Sequence, residues 1–233
     1  MCGRIKLDFF PELERIFQNI FGIPFPTIVH PPILGEMLPY REITTIHRNQ
    51  YNRVIAMPMF WNLVPSYAPK FDTKRNWFNM RKESLLQPYN RHLIINRRCI
   101  IPVSSFFENK KINGKPFYES NKINGRSVKK KVTYEFKNKD NKLMALGGVF
   151  SVWKKDKETR FTCSIITMDP NSIVGEVHDR MPFILPKENI KIWLDSALTD
   201  LQTLFRLVQP YPSEQLIRVN VWPGDVQNKN LFD

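Results

Sequence analysis

The segment Leu143–Trp153 reads LMALGGVFSVW, and it is one of the most apolar stretches of the chain. It follows Lys131–Phe136 and precedes Phe161–Met168, with polar turns between the three runs. Short runs rich in Val, Ile and aromatic residues, bounded by such turns, predict β-strands that pair antiparallel. Gly147 and Gly148 lie inside Leu143–Trp153, and glycine in the middle of a strand indicates a bulge or a close approach of another part of the chain.

Further strands and flanking helices are predicted on either side of these runs. The upstream strands are Glu42–His47, Arg53–Trp61 and Arg98–Val103. Apolar residues at helical spacing, bounded by prolines, predict helices over Phe10–Phe21, Lys187–Leu194 and Leu198–Val208. The order of helix, strands and helices predicts an α+β fold with mostly antiparallel pairing.

Length and composition describe a folded chain. The 233 residues allow one domain with its own core or two small ones, and we expect a single domain over residues 1–233. An apolar fraction of 42% excludes an intrinsically disordered protein. No run approaches the ~20 consecutive apolar residues of a membrane span, so we expect a soluble protein with no membrane partner.

Charge and cysteine usage narrow the class of partner and the compartment. The formal net charge of +13 favours a polyanionic partner, nucleic acid first, although lysine can also serve solubility alone. The three cysteines, Cys2, Cys99 and Cys163, cannot form a complete disulfide set, which fits a reducing intracellular compartment, cytoplasm or nucleus. They lack metal-ligand spacing, so we expect no metal and no other cofactor.

Residues 109–131 differ from the rest of the chain. They contain eight Lys or Arg residues against one acid, Glu119, and two Asn-Gly steps, at Asn113 and Asn124. A segment of this composition cannot bury a face, so it predicts either a mobile loop or an exposed hairpin. We interpret it as a lysine-rich insertion in the domain.

Cys2 is the first candidate for chemistry. Methionine aminopeptidase removes Met1 when the second residue is small, which would leave a cysteine with a free α-amine and a thiol on adjacent carbons. An α-amine with a pKa of about 7.7 to 8.0 is partly unprotonated at neutral pH. It can condense with an aldehyde to an imine, and the thiol can then close a thiazolidine ring. The alternative is that Cys2 is an arbitrary second residue.

Three other positions carry groups that could act beside it. Glu108 ends the aromatic run Ser104–Phe107, where partial burial would raise the pKa of its carboxyl, although it could equally be a surface glutamate opening the basic segment. His178 lies in a polar loop, where a lone histidine is more often structural. Asn79 could donate to an anion and Arg81 could bind a phosphate, but each could also be an ordinary turn residue.

Five short islands, taken in this order, resemble the SRAP family of SOS response-associated peptidase domains, whose members shield abasic sites in single-stranded DNA. They spread over essentially the whole chain, and the five together are far more specific than any one of them. The islands are Met1–Arg4, Trp61–Tyr67, Asn79–Glu83, Arg98–Pro102 running into Phe106–Glu108, and His178–Pro182.

The resemblance implies a fold, a function and a set of site residues. The fold is a curved, barrel-like, mostly antiparallel sheet with flanking helices. The function is covalent capture of ring-opened abasic sites in single-stranded DNA by a monomeric protein, through a thiazolidine on Cys2. The residues that match the family's active-site positions are Cys2, Asn79, Glu108 and His178. Those implied to contact DNA are Arg4, Arg81 and Arg180 at phosphates, and Tyr67 and Trp61 as stacking faces.

Some positions depart from the family pattern, and other functions remain open. Asn109 replaces a tryptophan, Asn62 replaces a glycine, and Glu36 stands where an asparagine is common. One alternative is a cysteine peptidase with autoproteolytic activity, with Cys2 as nucleophile, His178 as base and Asn79 as oxyanion donor. Another is a single-strand binding module without chemistry.

Overall fold

A computed structural model describes residues 2–8, 27–28, 30–123 and 126–221. The strands, in chain order, are β1 Ile5–Leu7, β2 Thr27–Ile28, β3 Gly35–Met37, β4 Glu42–Arg48, β5 Val54–Trp61, β6 Asn79–Arg81, β7 Arg98–Val103, β8 Ser105–Asn109, β9 Lys111–Ile112, β10 Lys115–Pro116, β11 Tyr118–Ile123, β12 Arg126–Lys131, β13 Thr133–Asn138, β14 Met144–Lys155, β15 Glu158–Met168, β16 Met181–Pro182, β17 Ile184–Leu185 and β18 Leu216–Asn220. The helix predicted over Phe10–Phe21 lies outside the described residues.

Five strands close into a barrel. The order β5-β4-β7-β14-β15 is antiparallel throughout, and parallel pairing of β15 with β5, with Thr162 opposite Phe60, completes the ring. All five barrel strands were predicted from the sequence. The predicted ranges are Glu42–His47, Arg53–Trp61, Arg98–Val103, Leu143–Trp153 and Phe161–Met168. The predicted α+β class with mostly antiparallel pairing is therefore confirmed.

The two glycines of β14 allow close packing across the barrel wall. A Cβ on Gly147 would stand 2.3 Å from Cδ1 of Phe183, and one on Gly148 would stand 2.9 Å from the carbonyl oxygen of Ser164. Both distances are far inside van der Waals contact. The sequence predicted either a bulge or a close approach at these glycines, and the structure shows the close approach.

A second sheet brings the start of the chain to the site. Its order is β18-β13-β8-β1-β3, with Ile5 opposite Phe106 in β8 and opposite Met37 in β3. The backbone N–H of Phe107 also donates to the carbonyl of Arg4 at 2.9 Å. Since β1 runs antiparallel to β8, the chain N-terminal to Arg4 continues alongside the end of β8, where Glu108 lies.

The α-helices among the described residues are short and pack outside the sheets. They are α1 Arg91–Asn96, α2 Ser172–Gly175, α3 Lys187–Trp193 and α4 Leu201–Leu207. The last two confirm the predictions over Lys187–Leu194 and Leu198–Val208, whereas α1 and α2 were not predicted. Arg98 is buried among them, and its guanidinium donates to the carbonyls of Ile94 and Trp193, each at 2.6 Å, which ties α1 and α3 to β7. Within the described part of the chain, no helix is long and apolar enough to cross a membrane.

The lysine-rich insertion forms exposed hairpins, one of its two predicted alternatives. Strands β9 and β10 pair around Asn113 and Gly114, whose φ angles of 51° and 74° are those of a tight hairpin turn that an Asn-Gly step favours. Strands β11 and β12 form a longer two-stranded ribbon with Tyr118 opposite Lys131. The step at Asn124 lies outside the described residues.

Candidate functional site

Cys2 lies just before β1 and is completely buried. Its Sγ is 4.0 Å from the carbonyl oxygen of Arg4. Burial, and then the nearby charge of Glu108, raise the pKa of the thiol above its ordinary value. The thiol is therefore protonated at neutral pH, and any reaction at sulfur needs a group that accepts its proton.

Asn79 contacts Cys2 from the barrel side. It begins β6, which pairs in parallel with β15 through Ile165, and its Nδ2 donates to the carbonyl oxygen of Cys2 at 2.7 Å. The resemblance implies that Asn79 and Cys2 are both active-site residues, and the contact that the Asn79 amide makes is with the backbone carbonyl of Cys2. The Asn79 Oδ1 is buried without a hydrogen-bond partner in the described part of the chain. A buried acceptor of this kind is costly, and a donor on a ligand would satisfy it.

Glu108 is a buried carboxyl group close to Cys2. It lies on β8 and is 3% exposed. Burial raises the pKa of its carboxyl from an ordinary 4.5 to about 7. At neutral pH the carboxyl is divided between its protonated and ionised forms, so it can both give and take a proton.

His178 is buried next to Glu108. Its backbone N–H donates to the carbonyl of Val174 in α2, and its Nε2 lies 3.7 Å from Oε2 of Glu108. Burial lowers the pKa of the imidazole to about 4, so the ring is neutral at pH 7. Around Nδ1 lie the backbone N–H of Arg180 at 3.1 Å, the Arg180 carbonyl at 3.2 Å and Oδ1 of Asp179 at 3.0 Å. The backbone N–H of Arg180 donates to Nδ1, whereas the other two groups accept from Nδ1 only when the ring proton is on that atom.

The arginines expected to contact phosphates differ in how they are engaged. Arg81 is exposed at the end of β6. Arg4 lies 4.0 Å above the ring of Phe107, and one of its nitrogens is 3.4 Å from a carboxylate oxygen of Glu36, the residue that departs from the family pattern. Arg81 is thus the more accessible of these two cations.

Arg180 is held inside the protein surface. Its side chain is 12% exposed and lies 3.0 Å from Glu83 and 3.2 Å from Asp169, and it also donates to the carbonyl of Thr167 at 2.7 Å. Two carboxylates therefore already balance its charge. These contacts fix the loop that carries His178, which is a positioning role.

A cleft of about 240 Å³ opens beside Asn79. Its wall carries two exposed aromatic side chains, Tyr67 at 72% and Tyr89 at 64%, together with Arg81 and His92. Exposed aromatic rings next to an arginine make a surface suited to stacking and to binding an anion. Tyr67 is thus available for the stacking role expected of it.

The expectation that Trp61 stacks on a base is wrong. Its side chain is completely buried at the end of β5, with ring Nε1 donating to the carbonyl of Phe78 at 2.8 Å. The Phe78 ring packs edge-on against it, 6.2 Å between centroids. The residue supports the barrel, and neither face of its ring can reach a ligand.

Several residues of the site were not found from the sequence. Tyr89 follows Gln87 and Pro88, and an exposed tyrosine in such a turn was the signal that could have drawn attention to it. Lys111 and Asp179 lie 3.1 Å apart, and their pairing joins the insertion to the loop of His178. Within the described residues, no group of three or more His, Cys, Asp or Glu side chains could hold a metal ion.

Comparison with known proteins gives one family and several named relatives. The profile of the family described as SOS response associated peptidase (SRAP) matches residues 1–228. The abasic site processing protein YoqW of Bacillus subtilis is 32% identical over 220 residues, which cover 93% of this chain and 90% of that protein. The abasic site processing protein HMCES of Gallus gallus is 28% identical over 189 residues, covering 75% of this chain and 55% of that protein.

Solved structures share the fold. A crystal structure of a protein from Bordetella bronchiseptica superposes with a TM-score of 0.73 at 17% identity, covering 95% of this chain and all of that one. A protein from Bacteroides thetaiotaomicron gives a TM-score of 0.68 at 19% identity, covering 95% and 92% of the two chains. At these identities the likeness concerns the architecture alone.

Proposed function

The chain belongs to the SOS response associated peptidase family, and from this premise we propose that it processes abasic sites in DNA by capturing them covalently on Cys2. The observation that carries the proposal is the meeting of Cys2, Asn79, Glu108 and His178 around one buried position. Similar proteins named as abasic site processing proteins support the substrate class.

The proposed reaction begins once Met1 has been removed. An abasic deoxyribose exists partly as a ring-opened aldehyde, and the α-amine of Cys2 attacks its C1′ carbon to give a carbinolamine. Loss of water yields the imine. The Cys2 thiol then adds to the same carbon. The S–C1′ bond forms, the C=N double bond of the imine becomes a single bond, and the thiol proton passes to the former imine nitrogen. The product is a five-membered thiazolidine, and the balance is aldehyde plus cysteine giving adduct plus one water.

The proton transfers fall to Glu108 and His178. Because the thiol is protonated and the pKa of Glu108 is raised to about 7, the ionised carboxylate can take a proton from the amine or thiol and return it later. His178 is neutral at pH 7, and its Nε2 can relay a proton from Glu108 to the ring oxygen of the sugar as the cyclic form opens to the aldehyde, before the amine attacks. Asn79 holds the Cys2 backbone by its Nδ2 and offers its buried Oδ1 to a donor on the adduct, such as the thiazolidine N–H.

The DNA strand would run along the cleft beside Asn79. Arg81 is the exposed cation for a phosphate, and the exposed rings of Tyr67 and Tyr89 are platforms for a neighbouring base. Arg4 can add a phosphate contact if its guanidinium leaves Glu36 and binds a DNA phosphate instead. A groove with cationic and aromatic groups suits single-stranded DNA because its bases are free to stack.

The test is the intact mass of the protein after incubation with a single-stranded oligonucleotide that contains one abasic site. We expect a species heavier by the oligonucleotide minus one water, resistant to heat and denaturant. The Cys2→Ala variant should lose it, whereas Cys163→Ala, which changes another buried thiol, should retain it. A Cys2→Ser variant, whose hydroxyl closes the ring poorly, should give an imine that only borohydride traps. An adduct of unchanged stability in Cys2→Ala would overturn the mechanism.

A peptidase acting on the chain's own leading residue is the second candidate, because a thiol and an imidazole share the site. It has less support, since burial raises the pKa of Cys2 and lowers that of His178, which disfavours a thiolate–imidazolium pair. Mass measurement separates the two. Retention of Met1 together with cleavage of added peptides would favour the peptidase, and loss of Met1 with an abasic-site adduct would favour capture.

A further inference from the structure

The ribbon formed by β11 and β12 has two different faces. Its register places Tyr118 opposite Lys131, and Ser120 opposite Lys129. Directly opposed residues of an antiparallel pair point to the same side of the sheet, and successive residues alternate. These four residues therefore share one face, which we call the lysine face, and all four are exposed.

The opposite face carries a different balance of charge and is less open. Glu119 and Lys130 are direct cross-strand partners there, so an acid offsets the lysine. Lys130 and Val128 are only partly exposed. Within the described part of the ribbon, Lys129 and Lys131 thus stand on the face without the acid. The Lys129 ammonium also lies 5.5 Å from the ring centroid of Tyr118, a contact that holds the cation on its face.

The ribbon is rooted at the candidate site. Strand β8, which carries Glu108, leads directly into the insertion, and the backbone N–H of Lys111 donates to the carbonyl of Val177, next to His178, at 2.9 Å. The N–H of Val132 donates to the carbonyl of Phe117 at 3.1 Å at the base of the ribbon, just before the chain enters β13 of the second sheet. A DNA strand joined to Cys2 would therefore pass near the base of the ribbon.

We propose that the lysine face binds the phosphate backbone of a single DNA strand that extends from the site. This inference rests on the proposed function for the identity of the polyanion, and it adds a second contact surface outside the catalytic pocket. Two exposed lysines that are two residues apart on one face can approach successive phosphates, and each contact releases condensed counterions. The ribbon supplies affinity, and the chemistry stays with the pocket.

The experiment measures binding of an undamaged single-stranded oligonucleotide by fluorescence anisotropy over a range of salt concentrations. Three matched variants are compared with the wild type: Lys129→Gln, Lys131→Gln and the control Lys130→Gln, each of which removes one charge from the same strand. Each phosphate contact contributes about 0.7 to the slope of log affinity against log salt. We expect Lys129→Gln and Lys131→Gln each to flatten the slope by about that amount, with Lys130→Gln unchanged. Arginine at positions 129 and 131 should preserve the slope.

Equal slopes for all three variants would overturn the proposal, because only the total charge would then matter or the ribbon would not be bound. No binding of the undamaged strand would overturn it as well. Because this strand has no abasic site, the outcome is independent of covalent capture. A failure of the lysine face leaves adduct formation at saturating abasic DNA intact, whereas a failure of the capture mechanism leaves the difference in salt slopes.

Discussion

The Nε2 atom of His178 lies 3.7 Å from Oε2 of Glu108, and both side chains are 3% exposed. Burial moves the two pKa values in opposite directions, to about 4 for the imidazole and about 7 for the carboxyl. In this pair the carboxyl therefore holds a proton at a pH where the histidine does not, the reverse of their order in water. In the proposed mechanism, this inversion suits Glu108 rather than His178 to carry the proton near neutral pH.

Replacement of Glu108 by Gln should slow adduct formation by ~10² to 10⁴-fold, the usual range for an acid–base group, with little change in DNA affinity. Wild-type rates should bend near pH 7, where the carboxyl titrates, and this bend should disappear in Glu108→Gln, which keeps only the bend of the Cys2 α-amine at about pH 7.7 to 8.0. Single-turnover crosslinking over pH 5 to 9 measures both. Loss of affinity equal to the loss of rate would mean that Glu108 is structural.

Glu108 and His178 should change the pH dependence of the free energy of unfolding in opposite directions. The unfolded carboxyl titrates at 4.5 and the folded one at about 7, so Glu108 lowers the free energy of unfolding as pH rises through this window. The unfolded imidazole titrates at 6.5 and the folded one at about 4, so His178 raises it as pH rises from about 4 to 6.5.

The two effects oppose each other between about pH 4.5 and 6.5. Urea unfolding at several pH values should therefore show a steeper rise with pH in Glu108→Gln than in the wild type, by up to about 1.4 kcal/mol per pH unit. His178→Asn should change the slope in the other direction. Parallel curves for all three proteins would contradict the shifted pKa values.

Alanine at Gly147 should destabilise the barrel. Its Cβ would stand 2.3 Å from the Phe183 ring inside the packed wall, so ring and strand must move, at a cost of about 1–3 kcal/mol in the free energy of unfolding. Gly175→Ala is the control, because its Cβ would meet Pro170 at an ordinary 3.6 Å. Chemical denaturation measures both, and equal midpoints would show that the wall can relax.

Substitutions of Arg81 and Arg180 should affect different properties: DNA binding for Arg81, and stability and reaction rate for Arg180. Arg81→Gln removes an exposed cation, so it should weaken binding of single-stranded DNA and flatten the salt slope by about 0.7, with stability unchanged. Arg180→Gln leaves Glu83 and Asp169 facing each other without their shared cation, so it should lower the melting temperature and slow adduct formation through the displaced loop of His178. Identical effects of the two changes would contradict these assignments.

Much of the barrel followed from local pattern. Apolar runs indicate strands at Glu42–Arg48, Arg98–Val103 and Met144–Lys155, because these strands are buried on both faces and side chains at nearly every position lie inside the protein. Short helices such as Arg91–Asn96 escaped prediction, since six residues give too few turns for a periodic signal. The set of candidate catalytic residues came from motif islands, and their approach to one another depends on pairing of β1 with β8 and of β6 with β15.

The tertiary structure alone decided which side chains are available. Trp61 and Arg180 stand in motifs that imply contact with DNA, yet the barrel buries the first and carboxylates engage the second. Glu83 is 97 residues away from Arg180 along the chain, so no local sequence pattern could predict that the two side chains pair. Likewise, three consecutive lysines are equivalent in sequence, and only the register of β11 with β12 assigns Lys129 and Lys131 to one face and Lys130 to the other. Local periodicity specifies the secondary structure, whereas charge pairing and exposure depend on contacts between distant parts of the chain.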